Sequence, residues 1–437
     1  MLRRPPRSTP RPSRRQRQMC IRDSIYTEDQ VGVDPYSVPL EKLNVANPFL
    51  FANDVQEPWF KRLRDEAPVH YCAESFFGPY WSVTRYEDIM TVDTSHDIFS
   101  SEPTIIIGDP LEDFPLPMFI AMDRPKHDEQ RRVVAPVTGP ENLRNFEPII
   151  RERTIDVLDK LPLGEPFNWV ETVSIELTTR MLATLFDFPF QERAKLTYWS
   201  DIATAIPGMG LIDSDDERKA ILLECLEYFT GLWNERVNAP PSNDLISMLA
   251  HGEATRDMGP VEYLGNLILL IVGGNDTTRN TMSASVFNLA NNPDQFQRLV
   301  EDQSLIPSMV AETIRWQTPL AHMRRTAKCD TVLAGQQIKA GDKVVMWYVS
   351  GNRDERVFDQ PHDFIIDRAN VRKHLAFGFG IHRCMGNRLA ELQLKILWEE
   401  ILKRFERIEL VGDVQRSAST FVHGYTSMPV IVHPLQN

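Results

Sequence analysis

Residues 377–386 read Phe377, Gly378, Phe379, Gly380, Ile381, His382, Arg383, Cys384, Met385, Gly386. Three glycines around a single cysteine make a loop in which no Cβ hinders the approach of a flat partner. The following stretch, Asn387 to Phe405, places Leu389, Leu392, Ile396, Leu397 and Ile401 at helical spacing, which predicts an amphipathic helix. Cys384 then stands at a helix N-terminus, where the macrodipole and free N–H groups favour thiolate over thiol. A lone cysteine is ordinarily a small, inert core residue. A thiolate at the mouth of a glycine loop is a metal ligand or a nucleophile instead. No second cysteine stands at zinc-ligand spacing, and His382 is the base a nucleophile would use.

Outside this loop the composition is that of an ordinary globular chain: 437 residues, 42% hydrophobic and 25% charged. A net charge of −13 argues against nonspecific nucleic-acid binding, which needs basic surface. Five scattered cysteines (Cys20, Cys72, Cys225, Cys329, Cys384) predict reduced thiols in a cytoplasmic protein, not a disulfide framework. The longest apolar run, Leu267 to Val272, is far short of the roughly 20 residues that span a bilayer, so no membrane anchor is expected.

Three segments follow from charge and pattern: 1–24, a disordered extension; 25–46, a lead-in; and 47–437, one catalytic domain. The first carries eight arginines and one acid. Its prolines at 5, 6, 10 and 12 spoil the helix of a transit peptide, which leaves an origin outside the gene open.

Along the domain, Pro58 to Glu66 reads as a short helix, Val69–Tyr71 and Tyr80–Val83 as a hairpin, and Tyr86 to Thr94 as a helix. Residues 101–122 are rich in Pro, Ile and Phe without helical period; an apolar loop of this kind reads as a lid over an apolar pocket. A helix is expected from an N-cap at Asp123, putting His127 and Arg131 on one face. Several amphipathic helices fill 141–250, and between Trp199 and Asp216 the pattern dissolves. Val261 to Leu289 is the most hydrophobic helix, and Gly273, Gly274, Asn275, Asp276, Thr277 and Thr278 interrupt it. Glycines and an acid inside a buried helix disfavour it. The Thr277 hydroxyl can return to the Gly273 carbonyl and open the helix locally. Glu312 and Arg315 are spaced for an ion pair on a helix from Ser304 to Gln317. Thr331 to Val349 reads as a small sheet, and Ser419–Val422 with Pro429–Val432 as a C-terminal strand pair.

The pattern Phe-Gly-x-Gly-x-His-x-Cys-x-Gly at 377–386 resembles, without a departure, the haem-binding loop of the cytochrome P-450 superfamily, the haem-thiolate monooxygenases. Over about residues 47–435 four motifs of that family stand in order. The resemblance implies a mainly α, single-domain fold with a small β region, holding haem b between the long central helix and the cysteine loop. It implies Cys384 as the iron's thiolate ligand and Asp276 with Thr277 as an acid-alcohol pair that delivers protons. His127, Arg131 and Arg325 would be the propionate partners, with His382 and Phe377 also at the haem. Arg324 leaves the third assignment open by one residue. Glu312, Arg315 and Arg368 would be scaffold. Electrons would come from NAD(P)H through an external ferredoxin reductase and ferredoxin, docked on Arg372, Lys373, His374, Arg383 and Arg388.

The stretch Leu267 to Thr278, with His322 to Thr326, is similar to bacterial alkane and fatty-acid terminal hydroxylases. That implies ω-hydroxylation of medium-chain alkanes, primary alcohols or fatty acids, with dioxygen as cosubstrate. Leu269, Val272, Gly273, Leu320, Met323, Phe421 and Val422, with lid residues Ile105, Ile106, Ile107, Phe114 and Leu116, would wall the substrate. A terpene or aromatic hydroxylase would share these motifs; a haem-thiolate isomerase or gas sensor would not need the Asp276-Thr277 pair.

Overall fold

A computed structural model describes residues 28–435. The segment 1–24 and its arginines lie outside the described residues. The lead-in does not stand apart: Leu43, Val45 and Ala46 are buried with Leu50, Phe51, Phe60 and Trp347.

The fold is mainly α, and six of its helices position the site: α1 (Lys126–Val134), α2 (Ala194–Thr204), α3 (Asp215–Val237), α4 (Pro260–Asn291), α5 (Ile306–Gln317) and α6 (Asn387–Ile401). Helix α4 is the axis. It starts at Pro260, whose fixed φ suits the first turn, and stops before Pro293. Leu264, Leu267, Ile268 and Ile271 of its first half belong to one apolar core, and Met282, Val286 and Leu289 of its second half to another. Buried on all sides, these halves obey the rule for a central helix. Between them lies a polar stretch, Asn275 to Thr281, and that seam holds the site.

The larger sheet runs β1 (Val69–Cys72), β2 (Tyr80–Val83), β3 (Phe99–Ser100), β4 (Met323–Ala327) and β5 (Lys343–Met346) in the spatial order β1-β2-β5-β4-β3. The expected hairpin is present, with Val69 opposite Val83. Strand β5 pairs parallel to β2 and antiparallel to β4, which sets Arg325 opposite Val344. Strand β5 ends at Met346, and Tyr348–Gly351 turns into a short helix rather than continuing the sheet.

Two local expectations fail for the same reason, a polar side chain finding a better partner. Asp123 does not cap α1: its carboxylate accepts from Ser100 Oγ at 2.8 Å and Ser101 N at 3.1 Å, and the helix begins after Pro125. Ser419–Val422 is not a strand, because Ser419 Oγ takes the N–H groups of Phe421 and Val422 and folds the segment into a turn. Only a single bridge, Leu320 to Val422, remains. Pro429–Pro434 does form a strand, paired to Phe405–Leu410.

The lid expectation has a structural counterpart. Residues 101–118 carry no helix and are fastened at both ends: Arg324 N donates to Ile105 O at 2.7 Å, and Phe119 N donates to Asn266 Oδ1 at 2.9 Å. Gly265 beside Asn266 is required by that closeness, since a Cβ there would stand 2.1 Å from the Pro117 carbonyl oxygen.

Scaffold residues Glu312, Arg315 and Arg368 meet as one buried cluster. Arg315 grips Glu312 through Nε (2.7 Å) and Nη2 (2.8 Å), and Arg368 Nε reaches both carboxylate oxygens at 3.0 and 3.1 Å. Their remaining N–H groups bond the carbonyls of Asn352, Pro361, Gln360 and Asp363, so this cluster pins the chain that leads into the cysteine loop. A buried pair is tolerable only with its donors used in this way.

Candidate active site

The cysteine loop takes its shape from two glycines in the left-handed region, Gly378 (φ +64°) and Gly380 (φ +65°). At Gly380 a side chain is excluded twice, because a Cβ would also stand 2.6 Å from the Asp93 carbonyl oxygen. Cys384 N donates to Phe377 O at 2.8 Å, and Thr138 Oγ1 donates to Met385 O at 2.9 Å. Helix α6 starts just beyond Gly386.

Cys384 opens onto a cavity of about 1080 Å³ while protein encloses it on its other sides. Burial raises its thiol above the ordinary cysteine range, against the pull of the Gly386 and Asn387 N–H groups and the Arg131 and Arg383 guanidinium groups. The helix terminus alone therefore does not make the thiolate expected from sequence. A bound cation would have to complete it.

His127, Arg131, Arg325 and His382 converge beside the loop. The rings of His127 and His382 lie 4.2 Å apart, and Ser101 Oγ bonds His382 Nε2 at 2.8 Å. Burial first, then the cations Arg325, His127 and Arg131, hold His382 down to about 2. His127 is lowered too, by burial against the help of Asp128. Strand alternation separates the twin arginines: Arg325 lines the cavity with Met323, while Arg324 points away to Asp109 at 2.8 Å.

These residues fit a haem. His127 Nε2 and His382 Nδ1 are buried with no partner. Among the described residues no carboxylate stands at ion-pair distance from Arg131, whose own hydrogen bond goes to the Arg383 carbonyl. Buried ring nitrogens without a partner beside a guanidinium without a counter-carboxylate fit an anion, which would also draw a proton onto the imidazoles. No group of three or more His, Cys, Asp or Glu among the described residues could hold a bare metal ion. A lone cysteine ligand therefore suits a metal that brings its own ligand set.

On the opposite wall α4 is helical throughout, so the expected opening is confined to the Thr277 hydroxyl, which donates to Gly273 O at 2.8 Å. Gly273 and Thr277 line the cavity. Asp276 does not. Successive residues of a helix point about 100° apart, and its buried carboxylate faces α2. There it receives Ser200 Oγ at 3.1 Å and Thr204 Oγ1 at 3.4 Å, with Arg279 Nη2 at 3.0 Å. Burial raises Asp276 above the usual carboxylate range, opposed by Arg279.

Leu269, Val272, Leu320, Met323 and Phe421 line the cavity with lid residues Ile105, Ile106, Ile107, Phe114 and Leu116. Val422 does not, because the Ser419 turn sends it into the protein interior, where it is 5% exposed. His374 is likewise removed from the basic face expected around the loop. It is buried and held down to about 3 by burial and three arginines, whereas Arg372, Lys373, Arg383 and Arg388 are exposed.

Two residues at the site escaped the sequence. Asp93 bonds the floor together, accepting Phe379 N, the Tyr348 hydroxyl and Arg325 Nη2, each at 2.8 Å. An acid on the buried face of its helix, seven after Tyr86 and four after Ile89, was the available signal. His322 accepts Ile107 N at 3.1 Å, and its Nδ1 donates to Thr420 O at 2.8 Å, joining the lid to the 419–422 turn. Burial pushes it down to about 4. Nothing local distinguishes it from any core histidine.

Comparison with known proteins agrees with this geometry. A family model described as Cytochrome P450 matches residues 216–422. The chain is 34% identical over 407 residues to the linalool 8-monooxygenase of Pseudomonas putida, covering 90% of this chain and 100% of that one. It is 29% identical over 415 residues to the methyl-branched lipid omega-hydroxylase of Mycobacterium bovis, covering 91% and 96%. Among solved structures, cytochrome P450-153 from Novosphingobium aromaticivorans superposes with a TM-score of 0.85 at 50% identity, over 90% of this chain and 100% of that one.

Proposed function

The chain belongs to the cytochrome P450 family and is a haem-dependent monooxygenase, and we propose that it hydroxylates the terminal carbon of medium-chain alkanes, primary alcohols or fatty acids. The observation that carries the proposal is the cavity wall next to Thr277. Leu269, Val272, Leu320, Met323 and Phe421 line the same cavity as Thr277 and give it a broad aliphatic and aromatic face, which a bare hydrocarbon end fits. The lipid omega-hydroxylase among the relatives supports the same choice.

Cys384 would hold the haem iron, and His127, Arg131, Arg325 and His382 the propionates, with Phe377 beside the macrocycle. When bound, the haem supplies the iron that activates dioxygen, consuming two electrons and inserting one oxygen atom into a C–H bond. The residues around it position the chain and move protons. Thr277 holds a hydroxyl in the cavity through its bond to Gly273 O. Thr204 connects this space to the acid, since it lines the cavity and lies within 3.4 Å of Asp276. Asp276 in turn reaches the surface through Arg279, which bonds the half-exposed Asp201 at 2.6 Å. Internal C–H bonds are weaker than methyl ones, so terminal oxidation requires that the wall exclude the internal carbons.

Electrons would enter from NAD(P)H through ferredoxin reductase and ferredoxin, with Arg372, Lys373, Arg383 and Arg388 as the docking face for an acidic partner. Charge reversal at Arg372 and Lys373 should slow reduction by ferredoxin; an unchanged rate at low ionic strength would sink this part.

The test begins with the reduced carbon-monoxide difference spectrum and continues with product analysis on a linear alkane, alcohol and acid. Primary oxidation products are expected, and mainly internal alcohols would overturn the terminal assignment. Thr277→Ala should divert electrons to peroxide; full coupling would assign proton delivery elsewhere. Terpene hydroxylation is the second reading, favoured by the linalool 8-monooxygenase relative. Preferred turnover of acyclic terpene alcohols over linear chains would select it.

A further inference from the structure

The two cavity-lining guanidinium groups beside the cysteine loop are not equivalent. Arg131 meets no carboxylate at ion-pair distance among the described residues, whereas Arg325 Nη2 donates to Asp93 Oδ1 at 2.8 Å with both partners buried. Arg325 Nη1 donates to the Arg324 carbonyl at 2.9 Å.

Asp93 divides its work between its two carboxylate oxygens. Oδ2 receives Phe379 N and the Tyr348 hydroxyl, each at 2.8 Å, and so ties the start of the cysteine loop to the segment that follows β5. Burial, then the Asp93 carboxylate itself, keeps the Tyr348 phenol protonated as the donor. Oδ1 is left for Arg325.

We infer that Asp93 is a positioning residue acting through Arg325: it makes this arginine meet a haem propionate as half of a neutral pair, and thereby holds the reduction potential of the iron below the value a bare Arg325 would set. This rests on the assignment of Arg325 to a propionate.

The charge on Asp93 is what points there. An amide oxygen in the place of Oδ2 would serve Phe379 and Tyr348 equally well, so those two bonds do not require an acid. A buried carboxylate is costly unless an opposite charge matches it. Arg325 is the one cation at ion-pair distance from Asp93 among the described residues. The backbone fixes the arrangement as well, since a Cβ on Gly380 would stand 2.6 Å from the Asp93 carbonyl oxygen. Carboxylate, arginine and cysteine loop are therefore held as one unit.

The electrostatic consequence has a definite sign. Reduction adds an electron, which a nearby cation favours and a neutral pair favours much less. One unit charge shifts such an equilibrium about ten-fold across roughly 12 Å at an effective dielectric of about 20. Arg131 keeps its charge, and Arg325 has its charge matched.

The experiment is spectroelectrochemical titration of the substrate-free holoenzyme for wild type, Asp93→Asn, Arg325→Gln and the double variant. Asp93→Asn should raise the potential by about 59 mV, a ten-fold change for one electron. Arg325→Gln should lower it. The double variant, which leaves neither partner of the pair charged, should keep the reduction equilibrium within about two-fold of wild type. Opposite signs are the signature of charge, because a structural loss alone loosens the haem in both single variants and moves both the same way. Where Asp93→Asn does not take up haem, the double variant measured against Arg325→Gln reads the same carboxylate, and the same upward shift is expected. Shifts of equal sign in the two single variants overturn the proposal. So does an unchanged potential in Asp93→Asn while Arg325→Gln lowers it, which leaves the propionate assignment standing. An unchanged potential in Arg325→Gln overturns that assignment and the proposal with it.

Discussion

The floor and the roof of the cavity are built by opposite means. The floor, around Cys384, is tied by buried groups each used several times: Asp93 takes three donors, and Glu312 is shared by Arg315 and Arg368. The roof, made by the lid and the start of α3, is closed at its outer edge by the exposed pair Lys219 and Asp113, 2.5 Å apart, with Lys219 over the Phe114 ring. Buried pairs lose several kcal/mol when broken, whereas exposed pairs contribute about 0–1 kcal/mol. The difference teaches that one cofactor geometry is enforced while the substrate boundary is left adjustable, which is how a single fold serves many substrates.

Breaking the floor should have the largest effects. Cys384→Ser should abolish hydroxylation and the thiolate-type carbon-monoxide spectrum while circular dichroism still reports the folded chain; a retained spectrum would remove Cys384 from the ligand position. Glu312→Gln strands two buried arginines and should lower unfolding free energy by about 3–5 kcal/mol, read by denaturant unfolding. A loss below about 1 kcal/mol would mean the floor is no stiffer than the roof.

His322 fastens the lid to the 419–422 turn, and its signature is a pH slope. Its folded pKa, about 4, lies below the 6.5 of an ordinary histidine. As pH falls from 6.5 towards 4 the unfolded chain takes up a proton that the folded one refuses, so stability drops across that window, by about 3 kcal/mol at most. His374 and His382 add to the same slope, so the measurement is the difference between wild type and His322→Gln, whose slope should be shallower. Equal slopes would mean that His322 does not carry it. Smallest is the roof pair: Lys219→Ala should barely move the thermal unfolding midpoint, and a loss as large as that of Glu312→Gln would erase the contrast with the floor.

Much of the floor could be read in the chain. The cysteine loop is legible because its constraints are local: Gly378 and Gly380 are demanded by their own backbone angles, and the spacing to Cys384 is a property of ten consecutive residues. The central helix was legible for a similar reason, as a long apolar run with a polar seam. Asp93 and His322 were not, since their roles consist of partners more than 200 residues away, Arg325 and Tyr348 for one and Ile107 for the other. Asp276 was found, but its direction was not: only packing against α2 shows that its carboxylate turns away from the cavity.

Sequence by itself therefore determined the fold family, the cysteine loop, the helix that faces it and the aliphatic character of the wall, because each is written in contiguous residues whose local geometry has few solutions. The tertiary structure decided which of two adjacent arginines meets the cavity, which way Asp276 points, and that Val422 and His374 are buried away from their expected surfaces. Those depend on strand parity, helical phase and the meeting of distant segments, and no stretch of chain records them alone.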